Sequence, residues 1–138
     1  MIEKAKKYYN EGYNCAEAIL RAGNEHYQLN MDEHSMKVAA AFGGGMQVGD
    51  ICGALSGACM VIGMKYVEVK AHDQGAQLRV ITTKLIREFQ DHFGSRVCAK
   101  IKVRFLDPNV RCLNTVMDAA KILQKVIEEF DQENLTNF

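Results

Sequence analysis

The sequence predicts an all-α protein of about five to seven helices. Apolar residues recur at three- and four-residue steps, capping residues stand ahead of these stripes with glycines behind them, and no stretch alternates apolar and polar residues at period two. Ile2 to Asn10 is a mixed segment that stops near Gly12. Asn14 then caps a helix reaching about Gln28, with Glu17 at the third position to complete a capping box. A similar pair, Asn30 and Glu33, opens a segment holding Met36, Ala39, Ala40 and Phe42, which Gly43-Gly44-Gly45 ends. Asp50 is expected to cap the apolar run that follows, which extends to about Tyr66 or Val69. Leu78, Ile81, Leu85 and Phe89 form one stripe of a long helix from about Asp73 to Phe93, and Gly94 is its C-terminal stop. Ser95 caps a short helix and Pro108 interrupts the chain after it. Val116, Ala120, Leu123, Ile127 and Phe130 line the core face of the last helix.

With 138 residues, 48% of them hydrophobic, the chain can build one real core. No repeat or Ser/Gly-rich tract marks a boundary, so residues 1–138 read as a single domain. The 17 basic residues balance 17 acidic ones, which excludes a basic nucleic-acid binder, and electrostatics names no partner. The longest uncharged run, Ile51 to Met64, has 14 residues against the roughly 20 of a membrane span, so it reads as a buried core helix. The start of the chain is charged and no apolar stretch follows it, which favours a cytoplasmic location. Five cysteines are many for a chain in a compartment that keeps thiols reduced. Metal binding or redox chemistry is therefore favoured over structural disulfides.

The apolar helix contains Gly53, Gly57 and Gly63, and each glycine costs an isolated helix about 1 kcal/mol relative to alanine. Small residues at four-residue spacing admit a neighbouring helix or a bound group close to the backbone. Close helix packing and a ligand groove both fit that pattern. The segment Gly43 to Gly49 lacks G-x-G-x-x-G, and no G-K-[ST] occurs. Gly43, Gly44 and Gly45 fit better as a tight bend that brings backbone N–H groups towards Cys52.

Four cysteines fall in predicted first turns. Cys15 follows the Asn14 cap, Cys52 is two residues after Asp50, Cys98 is three after Ser95, and Cys112 lies near the start of the last helix. A helix N-terminus carries unpaired N–H groups and partial positive charge, which stabilises thiolate and suits a nucleophile or metal ligand. A cysteine can equally be a small buried hydrophobe. Cys59 lies seven residues after Cys52, so their Cα atoms are roughly 10 Å apart along one helix, too far for a disulfide. Its apolar neighbours make it a structural buried thiol, and Cys15 and Cys52 are expected to alkylate faster than it below neutral pH. No C-x-x-C, haem-attachment or zinc-knuckle spacing is present, so only folding can bring the cysteines together. His26, His34, His72 and His92 lack metal spacing and read as surface or capping groups, with His92 expected near Cys98. Cysteine hydrolase chemistry would need a base and an orienting group beside a thiol.

Taken in order, Gly12-Tyr13-Asn14-Cys15-Ala16, Phe42-Gly43-Gly44-Gly45-Met46, Cys52-Gly53-Ala54-Leu55-Ser56-Gly57, Phe93-Gly94-Ser95 ahead of Cys98, and Cys112 span most of the chain. In these segments it resembles the redox-active protein family named for its C_GCAxxG_C_C cysteine pattern, proteins of about this length in bacteria and archaea. The resemblance implies a small helical protein whose Cys15, Cys52, Cys98 and Cys112 carry redox work, and leaves the reaction open. One reading is a thiol-dependent oxidoreductase that exchanges disulfides or transfers electrons with a redox partner or small-molecule substrate. A second is a binding module whose four thiolates hold an iron–sulfur cluster or a soft metal. A third is a helical interaction domain with incidental thiols.

Overall fold

The computed structural model describes residues 1–135 of the chain. The last three residues of the 1–138 domain reading lie outside the described residues. Among these described residues seven α-helices follow one another: α1 (Ile2–Asn10), α2 (Cys15–Tyr27), α3 (Glu33–Met36), α4 (Gly53–Tyr66), α5 (Gly75–Phe93), α6 (Cys98–Phe105) and α7 (Leu113–Leu135). Among the described residues there is no strand, only two isolated bridges, Ile51 to Val97 and Asp107 to Arg111.

The all-α expectation holds, and most elements form for the reasons the sequence suggests. Asn14 and Glu17 make a full capping box at the start of α2. Ile81, Leu85, Phe89 and Phe93 are all buried along α5, and Gly94 ends that helix in the left-handed region at φ +75°. Val116, Ala120, Leu123, Ile127 and Phe130 are buried along α7.

Three caps differ from expectation. Asp32, not Asn30, caps α3, its carboxylate accepting from the Ser35 N–H at 2.7 Å, because Asn30 is itself turned left-handed at φ +62°. Cys52, not Asp50, is the N-cap of α4, since residues 50 and 51 are held in a bridge to the segment before α6. Val97, not Ser95, precedes α6, and the Ser95 hydroxyl instead accepts from the Val97 N–H at 3.0 Å.

The apolar helix α4 is buried on more than one side. It packs on α2 and also meets α5 and α7, which explains why its sequence shows no polar face. Gly57 sets the α2–α4 contact: a methyl there would stand 2.7 Å from the Ala16 carbonyl oxygen. Among the described residues no helix is long and apolar enough to cross a membrane.

Candidate functional site

The starts of four helices open onto one cavity of about 420 Å³, and Cys15, Cys52, Cys98 and Cys112 all line it. Cys15 is the first residue of α2, behind the Asn14 cap. Cys52 caps α4 and Cys98 begins α6. Cys112 directly precedes α7, its carbonyl accepting from the Val116 N–H at 2.9 Å. Cys59, midway along α4, lies outside the cavity and packs against the core, half-buried rather than fully buried as its apolar neighbours suggested.

Backbone bonds lash these helix starts together. The Cys52 N–H donates to the Arg96 carbonyl at 2.8 Å and the Cys98 N–H to the Asp50 carbonyl at 2.6 Å, flanking the bridge between Ile51 and Val97. The Cys112 N–H donates to the Tyr9 hydroxyl at 3.1 Å, tying α7 to α1. Ahead of Cys112, Asp107 and Arg111 exchange two backbone bonds of 2.9 and 2.7 Å and close the turn around Pro108.

The glycine bend is a left-handed turn. Gly44, Gly45, Met46 and Gln47 all have φ between +58° and +65°, although Met46 and Gln47 carry side chains that disfavour it. The Asp50 N–H bonded to the Gly45 carbonyl at 2.8 Å and the Gln47 amide bonded to the Gly43 carbonyl at 2.8 Å hold the turn. Gly44 lines the cavity. Gly45 backs onto α6, where a methyl would stand 2.7 Å from the Cβ of Cys98. Gly43 lies against the side chain of Asn14, and Gly53 against the sulfur of Cys15. Of the five glycines singled out in the sequence, Gly43, Gly45, Gly53 and Gly57 thus accommodate neighbouring protein atoms, and only Gly44 is a wall residue.

Burial decides the state of three cavity thiols, which corrects the expectation that first turns make them thiolates. Burial pushes the Cys52 thiol up to about 12, and the neighbouring Cys15 adds to this. The Ala54 and Leu55 N–H groups at the helix start pull the other way and lose. Burial also raises Cys98, with Lys102 opposing, and Cys112, with Lys102 and Arg111 opposing. Cys59 is raised by burial alone. Cys52 is only 5% exposed, so its expected lead over Cys59 in alkylation loses its basis. Cys15 acts electrostatically on each of the other three cavity cysteines and raises them further.

Across residues 13–126 the sequence matches the family model described as Putative redox-active protein (C_GCAxxG_C_C). The chain belongs to that family. Comparisons with curated proteins and with solved structures found no match. All four cavity cysteines of this family member fall inside the matched span.

Among the described residues no three His, Cys, Asp or Glu side chains are placed to hold a metal ion. Thiolates suit a cluster or a soft metal by donor chemistry, but as placed here they do not form such a ligand group. His92 meets Phe93 edge-on, stacks on Phe105 and meets Asp118 at 3.0 Å, and it is not a cavity residue. Sequence reasoning missed Tyr9, Tyr13, Lys102 and Arg111, all of which line the cavity. Lys102 stands one helical turn after Cys98 and Arg111 directly before Cys112, so spacing from the cysteines would have flagged both. Tyr9 reaches the site through the packing of α1 on α7 and the bond its hydroxyl accepts from the Cys112 N–H, neither of which spacing in the sequence shows.

Proposed function

We propose that the chain acts as one redox-active domain that exchanges disulfides through its cavity thiols. What supports this reading is the shared cavity: four cysteines far apart in sequence line it, and the fifth does not. Cys15 attacks one sulfur of a substrate disulfide as the thiolate and expels the other as a thiolate, which takes up a proton to become the first product thiol. A second cavity thiol then attacks the Cys15 sulfur of the mixed disulfide and releases the second substrate thiol. Two protein thiols are oxidised to one disulfide, one substrate disulfide is reduced to two thiols, and the two protons move from protein to product. Half-buried Cys15 suits the first attack because it is more exposed than Cys52 and lines the same cavity as all three candidate resolving thiols.

The test is to incubate reduced protein with bis(2-hydroxyethyl) disulfide, block remaining thiols by alkylation, and map the products by mass spectrometry. A disulfide joining two of Cys15, Cys52, Cys98 and Cys112, with Cys59 alkylated, is expected. Cys15→Ser should abolish formation of that disulfide through Cys15, whereas Cys59→Ala should behave as the parent. A disulfide that recruits Cys59, or no exchange at all, would sink the reading.

A further inference from the structure

Overall neutrality hides a strong segregation of charge. Residues 96–111 carry Arg96, Lys100, Lys102, Arg104 and Arg111 against the single carboxylate of Asp107, although the chain as a whole balances 17 bases with 17 acids. Asp107 is occupied in its own turn, accepting from the Asn109 and Val110 N–H groups at 2.7 and 3.1 Å. Lys102 and Arg111 line the thiol cavity, and none of the described residues lining it carries a carboxylate. Neither forms an ion pair among the described residues. Arg111 is also held in the left-handed region at φ +54° by its paired backbone bonds to Asp107, a conformation that non-glycine residues adopt chiefly where the surroundings impose it.

Other features favour the same sign of ligand. The cavity thiols sit at the starts of α2, α4, α6 and α7, where helix N-termini place positive partial charge. Ile101 and Leu106 add apolar lining, and about 420 Å³ is the size of a small-molecule site. We infer that the cavity takes a small organic disulfide bearing carboxylates, whose anionic groups Lys102 and Arg111 bind while the thiols exchange with its sulfurs. This rests on the disulfide-exchange reading and names its substrate class.

Three symmetric disulfides separate the possibilities: 3,3′-dithiodipropionate with two carboxylates, neutral bis(2-hydroxyethyl) disulfide, and cystamine with two ammonium groups. The rate of each with reduced protein is divided by its rate with dithiothreitol, which removes differences in intrinsic reactivity. The carboxylate disulfide should exceed the ammonium one by about tenfold or more at low salt, with the gap closing as salt is added. Lys102→Gln and Arg111→Gln should each lower the carboxylate-to-neutral ratio by about threefold or more, and Lys102→Arg should keep it. A change in thiol reactivity or folding would scale all three rates together and leave that ratio alone. Equal normalised rates, or a ratio that survives both substitutions, would overturn the inference while the exchange reading stands. No reaction with any of the three would overturn both.

Discussion

At Cys52 two opposing effects on one thiol can be weighed directly. The helix start offers N–H groups that favour the anion, whereas the site is almost closed to water, and desolvation prevails by enough to push the thiol up to about 12. The consequence for stability has a definite sign. Folded Cys52 keeps its proton in a range where the unfolded chain, near its ordinary value of 9.0, releases it. Stability is therefore intact below about pH 9 and falls as pH rises towards 12, by at most a few kcal/mol at about 1.4 kcal/mol per unit. Tyr27 and Tyr66 are raised by burial too and extend the loss to more alkaline conditions. Urea unfolding of Cys52→Ala over a series of pH values should show a shallower alkaline decline than the parent, whatever the substitution costs in packing. Parallel declines would mean that Cys52 ionises as freely in the fold as outside it.

Helix α4 shows how one residue type plays opposite parts within one element. Gly57 touches the backbone of α2, and a methyl there meets the Ala16 carbonyl at 2.7 Å and the Ile19 Cβ at 3.1 Å. Gly63, two turns nearer the C-terminus, has nothing within 4 Å of that position. Alanine favours the helix by up to about 1 kcal/mol at either site, but at Gly57 the steric cost of roughly 1–3 kcal/mol outweighs it. Gly63→Ala should accordingly raise the unfolding midpoint and Gly57→Ala lower it. Matching shifts in the two variants would show that α2 and α4 are not held at this close approach. The small-residue pattern was legible in the sequence, and helix packing is what it serves at Gly57. The left-handed turn at 44–47 was not legible beyond its glycines, because Met46 and Gln47 adopt it only under the bonds from Asp50 and Gln47 that fix its ends.

For the whole molecule, the cavity joins parts of the chain that are remote in sequence, with Cys15 and Cys112 separated by most of the fold. A disulfide between any two cavity cysteines would restrict the unfolded chain by about 3–5 kcal/mol before native strain is subtracted. Oxidised protein should hence unfold at higher urea than reduced protein, and dithiothreitol should abolish the difference. A lower midpoint on oxidation would mean that closing the cavity strains the helix starts more than it restricts the unfolded chain.

The helical class, the stripes that bury α5 and α7, the Asn14 capping box, and the distinction of Cys59 from the other cysteines were all legible in the chain's residues. These are local properties: periodicity and capping act within a few residues, and a cysteine two turns from another on one helix cannot share its end. Family membership was legible as well, since it rests on short segments in fixed order. Long-range packing brings four helix starts to one cavity, pairs Ile51 with Val97 so that Asp50 yields the cap of α4 to Cys52, and makes Lys102 and Arg111 the cavity's basic residues. It also decided the state of the thiols. A helix terminus is visible in a sequence, but desolvation depends on everything packed around the sulfur, and at Cys52 it outweighs the helix.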